Sequence, residues 1–437
     1  MNLASKLISK IKLFNPKPNL SFSPLIKLIE ANNYANFPVI NNWEEAQISS
    51  WFHVRTASKS GYAQISRTYS KKKKVPYVLN DEKIVSLLSK ECGILVLDAS
   101  YEGIKFWEHP VRDLHDNLST LNISPNNIFY ITSSYRWESD YHEWARNNNI
   151  DKPINVAQYN YYFANTVKLI IDRYSSKDTL EQHSRKFYET VHRKELRPKY
   201  FLCPNNAPRA HRIYTLLYLI KQSYFENGII SLPGLVGKGI EFPKENSGIN
   251  LFPDSVRQLE KFLPTLNEKL PLTIDMVETE LLDTGNSLMP IEPYLSSYFS
   301  ILNESDFSSD KISSDRRFTE KVVQPLFNYH PFILVGSKGT LRLLKEWGFI
   351  TFSPYIDESY DNIEDAGEKI MAIFNEIDRL CSMPKQDLHE MVQEMWPILD
   401  HNARLVTNLL DIIKVKYDTP LLMNLNKIQV QNNQNLK

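Results

Sequence analysis

The chain has 437 residues, of which 42% are hydrophobic and 23% charged, and its formal net charge at pH 7 is zero. This composition is ordinary for a globular protein and excludes wholesale disorder, while the balanced charge gives no general sign of a nucleic-acid partner. The length favours two domains, because a single hydrophobic core rarely serves more than about 250–300 residues.

The first fourteen residues, MNLASKLISKIKLF, interleave lysines with aliphatic side chains. This pattern predicts a short amphipathic helix that either packs on the protein or lies on an anionic membrane surface. No apolar run approaches the roughly 18 residues of a membrane span. We therefore expect a cytoplasmic protein whose membrane contact, if it has any, is peripheral and made through residues 1–14.

The N-terminal half alternates apolar runs with amphipathic segments, which is typical of a parallel α/β sheet. The predicted strands are 93–100, 126–134 and 154–163, the predicted helices are 112–123 and 139–149, and the stretch 160–198 is largely helical. A basic run at Lys71 to Lys74 has tyrosines nearby. It is interpreted as a solvated loop, with nucleic-acid or anionic-lipid binding as the alternative.

A second strand-helix series follows from KYFLCP, and its pattern again predicts a parallel sheet. Its elements are the strand at 199–204, the helix from Ala210, the strand IISLPG, the strand SSYFSILN, a helix after FTEK, the strand PFILVG, a helix after GSKGT and the strand GFITF. The predicted division is an N-terminal domain at 1–190, a second domain at 199–380, C-terminal helices at 381–425 and a flexible tail at 426–437.

Loops that follow the strands of a parallel sheet carry its ligands, so the polar side chains there are candidate site residues. After KYFLCP, the loop contains Asn206, Arg209, His211 and Arg212. Two guanidinium groups and an imidazole beside free helix amides suit a phosphate or diphosphate. The alternative is that these side chains cap the helix and form surface ion pairs.

A second charged loop, SDRRFTEK, contains Arg317, Thr319, Glu320 and Lys321. Glu320 can accept hydrogen bonds from ribose hydroxyls while Lys321 neutralises phosphate charge, although a solvated helix start would have the same sequence. In the glycine turn GSKGT, amides around Ser337 are candidates for the same ligand, with helix capping as the alternative.

Candidate catalytic bases follow the strands of the first domain, at Asp98, Glu102 and Glu138. A carboxylate at this edge of the sheet could take the proton of an acceptor hydroxyl. The acidic segment DESYD at 357–361 has no further ligands at metal-binding spacing, so no metal and no cofactor are predicted.

The segment Phe318 to Lys321, followed by a helix and PFILVG, resembles the nucleotide-binding signature of the α-1,3-fucosyltransferases. The order of NNAPRAHR, SYFSILNE, the Glu-Lys pair, GFITF and DESYD is also similar to uncharacterised fucosyltransferase-like enzymes of bacteria and large viruses. The resemblance implies two facing Rossmann-like domains, the GT-B arrangement, and an inverting glycosyltransferase that works without metal. It implies a donor site lined by Arg209, His211, Arg212, Glu304, Glu320 and Lys321.

The resemblance leaves the donor open, because VVQPLFNYH replaces the Ala- and Gly-containing helix of the fucosyltransferases. Guanosine diphosphate fucose and a cytidine monophosphate sugar acid such as Kdo are both candidates. A glycan or lipid-linked glycan acceptor, in surface polysaccharide or lipopolysaccharide synthesis, is the expected context. The alternatives are a non-catalytic nucleotide- or glycan-binding protein and a nucleic-acid-associated factor, although nucleic acid is not expected as a partner.

Overall fold

A computed structural model describes residues 111–232, 252–274, 288–305, 307 and 318–421 with their side chains, together with positions 85, 88, 89, 100, 106, 108, 423 and 424. It describes the backbone alone at residues 12–14, 39–40, 51–56, 93–99, 109 and 110. The basic run at Lys71 to Lys74 and the predicted tail at 426–437 lie outside these ranges.

The chain divides into two compact units, Met1–Tyr161 with Asp411–Lys437, and Tyr162–Leu410. The first unit contains a six-stranded sheet in the order β2-β1-β3-β4-β5-β6, with all neighbours parallel. Its strands are β1 Lys12–Phe14, β2 Val39–Ile40, β3 Trp51–Thr56, β4 Gly93–Ala99, β5 Ile128–Thr132 and β6 Asn155–Gln158. Its described helices include α1 Glu108–Thr120 and α2 Trp137–Asn147.

The core of the first unit combines aliphatic side chains with a group of stacked aromatic rings. The ring of Tyr130 on β5 stacks on Trp137 of α2 with 4.2 Å between centroids, and Trp137 stacks in turn on Tyr141 at 5.3 Å. The Tyr141 hydroxyl accepts a hydrogen bond from the backbone of Ile154 at 2.6 Å. This bond ties α2 to the start of β6.

The second unit contains a four-stranded parallel sheet in the order β10-β9-β7-β8. Its strands are β7 Lys199–Pro204, β8 Gly228–Ser231, β9 Ser297–Asn303 and β10 Phe332–Val335. Strands β9 and β10 are buried along their whole length, as expected for a parallel sheet covered on both faces.

Eleven further helices are described, from the end of the first unit's sheet to the C-terminal region. They are α3 Tyr161–Arg173, α4 Lys177–His192, α5 Ala210–Lys221, α6 Asp254–Arg257, α7 Leu263–Glu268, α8 Glu292–Ser296, α9 Glu320–Phe327, α10 Thr340–Glu346, α11 Ala366–Ser382, α12 Lys385–Glu394 and α13 Trp396–Ile413. A π-helical turn, Lys414–Asp418, continues α13.

The predicted α/β class, with two parallel sheets and helices at the C-terminal end, is confirmed. One face of α11 is apolar, and five aliphatic and aromatic side chains on it are fully buried. These are Ile370, Ile373, Phe374, Ile377 and Leu380.

Two predicted strands are wrong in whole or in part. The segment GFITF is not a strand, because the backbone N–H and carbonyl of Ile350 hydrogen-bond to the side chain of Asn402, at 2.9 and 2.8 Å, instead of to a neighbouring strand. The strand predicted at 154–163 ends at Gln158 and helix α3 begins at Tyr161. Burial at Tyr161, Ala164 and Val167 follows a helical spacing of three residues.

The helix predicted for the first fourteen residues is wrong where the structure describes them. Lys12–Phe14 form strand β1, whose residue Leu13 pairs with Val39 on one side and Phe52 on the other. Two neighbouring strands satisfy the backbone of this segment, so sheet pairing overrides the amphipathic pattern. Residues 1–11 lie outside the described ranges.

Candidate functional site

The strand order of the second unit creates a switch point between β7 and β9. From β7 the chain proceeds to β8 on one side, and it then crosses to β9 on the other side of β7. Connections from the carboxyl ends of β7 and β9 therefore diverge, and such divergence opens the crevice in which parallel sheets bind ligands. The loops at this point are residues 205–209 and the segment that begins at Glu304.

Side chains from the start of α5 bridge these two loops. His211 Nε2 lies 2.9 Å from the carbonyl oxygen of Glu304, and Arg212 Nη2 donates to the same oxygen at 3.1 Å. Arg209 Nη1 donates to the carbonyl of Ser305. Below them, Asn303 Nδ2 donates to Asn205 Oδ1 at 3.1 Å. The loops after β7 and β9 are thus joined by hydrogen bonds at two levels.

The carboxylate of Glu304 anchors the start of α9. Its Oε1 accepts from the backbone N–H of Thr319 at 2.9 Å, and its Oε2 accepts from the Thr319 hydroxyl at 2.9 Å and from the Ser305 N–H at 3.0 Å. The side chain is only 2% exposed. A Cβ on Gly336 would lie 3.3 Å from Glu304 Cβ, so the glycine lets the loop after β10 approach closely.

Helix α9 opens with the predicted Glu-Lys pair. Thr319 caps the helix, since its hydroxyl accepts from the Lys321 N–H at 3.4 Å. Lys321 Nζ lies 2.7 Å from Glu320 Oε1, and the two side chains are 16% and 25% exposed. Burial raises the pKa of Glu320, but the Lys321 charge and hydrogen bonds outweigh it, so the pKa lies below its usual value. This ion pair is the partly exposed end of the network.

His211 is neutral in this setting. Burial lowers its pKa well below the usual value, the charges of Arg212, Arg209 and Lys321 lower it further, and only the bond to the Glu304 carbonyl opposes them. Because a carbonyl oxygen only accepts, Nε2 carries the proton. The imidazole therefore positions the loop after β9 as a neutral donor.

The loop after β10 forms the third part of this edge. Ser337 is buried, and its carbonyl accepts from the hydroxyl of Thr340 at 2.8 Å. Gly339 has a φ of 78° and directly precedes α10, which explains the glycine at this turn. Lys338 Nζ donates to Glu364 Oε1 at 2.6 Å.

The structure gathers most of the predicted residues of the second unit at one edge. Seven belong to the connected network: Arg209, His211, Arg212, Glu304, Thr319, Glu320 and Lys321. Ser337 is buried in the adjoining loop, and Asn206 is exposed. Arg317 and Glu102 lie outside the described residues, and for Asp98 only the backbone is described, in β4.

The remaining predicted base, Glu138, lies in the first turn of α2, just beyond the end of β5. Its carboxylate is 52% exposed and lies 3.9 Å from Nε2 of His142. Partial burial raises its pKa, and His142 opposes this shift. A carboxylate with a raised pKa at the carboxyl edge of a sheet suits a general base.

Asp418 ends the π-helical turn and is not among the site residues predicted from the sequence. The adjacent Tyr417 bonds to the hydroxyl of Tyr135, just beyond β5, and its ring lies 5.4 Å from that of Tyr159, just beyond β6. Burial raises the pKa of Asp418 to about 6, against the nearby charge of Lys414. Its Oδ1 is buried with no hydrogen-bond partner in the described part of the chain. In the sequence, Asp418 looks like any acidic residue at the end of a charged helix, so no pattern marks it as a site residue.

Lys369 was overlooked as well. It occupies the buried face of α11, one residue before Ile370, and is 3% exposed. A lysine on an apolar helical face is a signal that the sequence does offer, because a buried ammonium group normally needs a partner.

The acidic segment 357–361 forms loop contacts. Glu358 accepts from the Thr351 hydroxyl at 2.6 Å and from the Phe352 N–H at 2.7 Å, and Asp361 accepts from the Arg342 N–H at 3.2 Å. Within the described ranges, no three His, Cys, Asp or Glu side chains form a group that could hold a metal ion. No described helix combines the length and apolarity needed to cross a membrane.

No known protein-family profile and no curated protein sequence matches the chain. Among solved structures, it is similar to a crystal structure of an alpha,alpha-trehalose-phosphate synthase (UDP-forming) from Burkholderia vietnamiensis. The identity is 9%, the TM-score is 0.39, and the alignment covers 92% of this chain and 96% of that chain. A likeness of this degree identifies neither a reaction nor a substrate, and the resemblance to the α-1,3-fucosyltransferases stays a prediction.

Proposed function

We propose that the chain is a glycosyltransferase of the GT-B class, which moves a sugar from a nucleotide-sugar donor to a glycan or lipid-linked glycan acceptor without a bound metal. The second unit would bind the donor and the first unit the acceptor. The observation that carries the proposal is the network at the β7 and β9 switch point, which ends in the partly exposed pair Glu320 and Lys321.

Within this proposal, the side chains of the network divide into two groups. Lys321 and Arg209 would meet the phosphate, and Glu320 would accept hydrogen bonds from hydroxyls of the nucleoside. Buried Glu304 and Arg212 act as positioning residues, since their hydrogen bonds fix the loops that present the first group. Asn206, Arg317 and Ser337 remain predicted donor contacts.

The chemistry asked of these residues is charge stabilisation. The acceptor hydroxyl attacks the anomeric carbon, and the bond between that carbon and the phosphate oxygen breaks with its electron pair going to the phosphate. Cationic side chains aimed at the phosphate stabilise the negative charge that develops there, and such preorganised groups lower a barrier without further rearrangement. This role would replace the metal ion of other transferases.

The proton of the acceptor hydroxyl would pass to a carboxylate of the first unit. The predicted bases are Asp98, Glu102 and Glu138, and the position of Asp418 adds a fourth candidate. Glu138 and Asp418 both have raised pKa values, which brings a carboxylate closer to the pH at which it must accept a proton.

The cellular setting belongs to the proposal too. A cytoplasmic enzyme of surface polysaccharide or lipopolysaccharide synthesis, with peripheral membrane contact through the residues that precede β1, fits a lipid-linked acceptor. The predicted boundaries, with an acceptor domain at 1–190, a donor domain at 199–380 and C-terminal helices at 381–425, are proposed on the same basis.

A second candidate is a non-catalytic protein that binds a nucleotide or glycan at the same edge. It is favoured by the hydrogen bonds of Arg209 and Arg212 to loop carbonyls, which give these guanidinium groups a structural role. The two functions differ in catalysis, because only the glycosyltransferase would transfer the sugar and release the nucleotide.

The test begins with a thermal-shift screen of nucleotide sugars and their free nucleotides. A stabilising donor is then incubated with lipid-linked and free glycans, and release of the nucleotide is followed. The proposal predicts release that depends on the acceptor and is lost in Lys321→Met. Stabilisation without release supports the binding protein, and no stabilisation by any nucleotide contradicts the glycosyltransferase and leaves the second candidate only glycan binding.

A further inference from the structure

Lys369 carries a buried positive charge that the described part of the protein does not neutralise. The side chain is 3% exposed, and its ammonium group makes no hydrogen bond within that part of the chain. Buried lysines are normally paired, because the loss of water around an ammonium ion is costly unless another group replaces it. A ligand is one such group.

The position of Lys369 connects it to the network at the switch point. Its Nζ lies 6.0 Å from the ring centroid of Phe307, in the segment after β9. The Phe307 ring stacks on His211 at 5.6 Å with 20° between the planes. His211 bonds to Glu304 and also feels the charge of Lys321. Lys369 is thus connected to the network through the Phe307 ring, and it comes from a different helix than Lys321.

The protein groups around Lys369 do not account for the buried charge. The charge of Asp361 raises the pKa of Lys369, but this carboxylate forms no ion pair with Lys369 within 4.0 Å and instead accepts from the Arg342 N–H. Lys338 adds repulsion, although Glu364 pairs with it. The Phe307 ring lies at the outer limit of a cation–π contact. The surroundings therefore leave the ammonium group available to an anion.

We propose that Lys369 binds a second phosphate group, so that the donor is a nucleoside diphosphate sugar and not a cytidine monophosphate sugar acid. This inference rests on the proposed function of the same site. A monophosphate donor carries one phosphate charge, for which Lys321 and Arg209 suffice. A diphosphate carries more charge over a longer group, which suits two ammonium ions supplied by α9 and α11.

The leaving group gives Lys369 a defined role in the transfer. When the bond between the anomeric carbon and the β-phosphate oxygen breaks, its electron pair stays on that oxygen and the diphosphate gains one negative charge. The acceptor oxygen forms the new bond to the anomeric carbon, and its proton goes to the base. An ammonium ion held in a water-poor position interacts strongly with the added charge.

Calorimetric titration of the full-length protein tests the inference. The probes are UDP with UMP, GDP with GMP, and CMP, at pH 7.5 and constant salt. The wild type is expected to bind one diphosphate at least tenfold more tightly than its monophosphate. Lys369→Met should lose this preference, with an unchanged monophosphate affinity. Lys385→Met is the control, because Lys385 donates to the Pro198 carbonyl next to the amino end of β7.

These titrations distinguish a failure of the Lys369 role from a failure of the proposed donor-binding function. If the wild type prefers a diphosphate and Lys369→Met keeps that preference, the role of Lys369 is overturned while the donor function stands. Tightest binding of CMP by the wild type also overturns it. If the wild type binds none of the nucleotides, the proposed function fails and this inference fails with it.

Proton uptake gives a second readout that does not require a variant. Burial lowers the pKa of Lys369 to about 8, with a raising effect of Asp361 and a lowering effect of Lys338. At pH 8.5 the amine of Lys369 is therefore mostly neutral. Binding of a diphosphate should favour the charged ammonium form, so the amine should take up a proton from solution. Titrations in two buffers of different ionisation enthalpy should show proton uptake with the diphosphate alone. Equal uptake with both nucleotides, or none, overturns the inference.

Discussion

The hydroxyl of Thr319 lies within hydrogen-bond distance of both carboxylate oxygens of Glu304, at 3.1 and 2.9 Å. Glu304 begins the connection from β9, and Thr319 caps α9, so this contact fixes where the Glu-Lys pair begins. Thr319→Val keeps the shape but removes the hydroxyl. It should cost about 3 kcal/mol, since it removes both a cap and a bond to a buried charge.

Thr319→Ser is the matched control for that variant, because it keeps the hydroxyl and loses one methyl group, at about 1 kcal/mol. Urea unfolding followed by tryptophan fluorescence measures both, with Trp347 and Trp396 as reporters in the second unit. Equal losses for valine and serine would show that the contact with Glu304 contributes little.

Glu320→Gln should separate the nucleoside contact from the phosphate contact. The substitution removes the carboxylate that pairs with Lys321 at 2.7 Å, so Lys321 becomes more available to an anion. Inorganic pyrophosphate should bind the variant at least as tightly as the wild type. The matching nucleotide should bind about tenfold more weakly, which corresponds to one lost hydrogen-bonded contact of about 1.4 kcal/mol. Competition titrations measure both, and parallel changes would argue against a nucleoside role for Glu320.

Lys369→Met should stabilise the protein at neutral pH. The pKa of Lys369 is about 8 in the folded chain, against 10.5 ordinarily, so the buried charge is unfavourable whenever the amine is protonated. The cost is about 3 kcal/mol below pH 8, and it disappears as the pH rises from 8 to 10.5. The stability gained by the variant should therefore shrink over this window.

Urea midpoints at pH 7 and pH 10 measure this difference for Lys369→Met. The control is Lys338→Met, because Lys338 is partly exposed and paired with Glu364, and its loss should change stability by less than about 1 kcal/mol. A destabilised Lys369→Met at both pH values would mean that the lysine is a structural element.

Glu138→Gln and Asp418→Asn should distinguish the candidate bases of the first unit. Replacement of the true base should lower kcat by about 10²- to 10⁴-fold and leave the KM for the donor nearly unchanged, because the donor would bind to the second unit. Both amides are isosteric with the carboxylates they replace. If neither variant loses activity, Asp98 and Glu102 become the candidates to test.

The strands and loops of the second unit could be predicted because the signals are local. Apolar runs mark β7 and β10, the mainly apolar segment SYFSILN marks β9, and polar residues directly after them mark the edge where Arg209, His211 and Lys321 meet. That Arg212 bonds to the Glu304 carbonyl could not be predicted, because its partner lies 92 residues away in the sequence. The same limit explains why GFITF is wrongly predicted as a strand, because Ile350 in this segment hydrogen-bonds to Asn402, 52 residues away in the sequence.

Long-range pairing also explains what the sequence concealed in the first unit. Lys12–Phe14 lies in a segment with the local pattern of an amphipathic helix, but it pairs with two strands that lie later in the chain, β2 and β3. The raised pKa of Asp418 depends on burial that brings the C-terminal turn to the aromatic residues beyond β5 and β6. Neither the pairing nor the burial leaves a periodic mark in the sequence.

The most direct test is calorimetric binding of the nucleotide sugar that gives the largest thermal shift, compared between the wild type, Lys321→Met and Lys345→Met. Lys345 is an exposed lysine of α10, so its variant controls for net charge. We expect one site per chain, a Kd at least tenfold higher in Lys321→Met and an unchanged Kd in Lys345→Met. Absence of binding to the wild type, or equal Kd values for the wild type and Lys321→Met, would contradict this expectation.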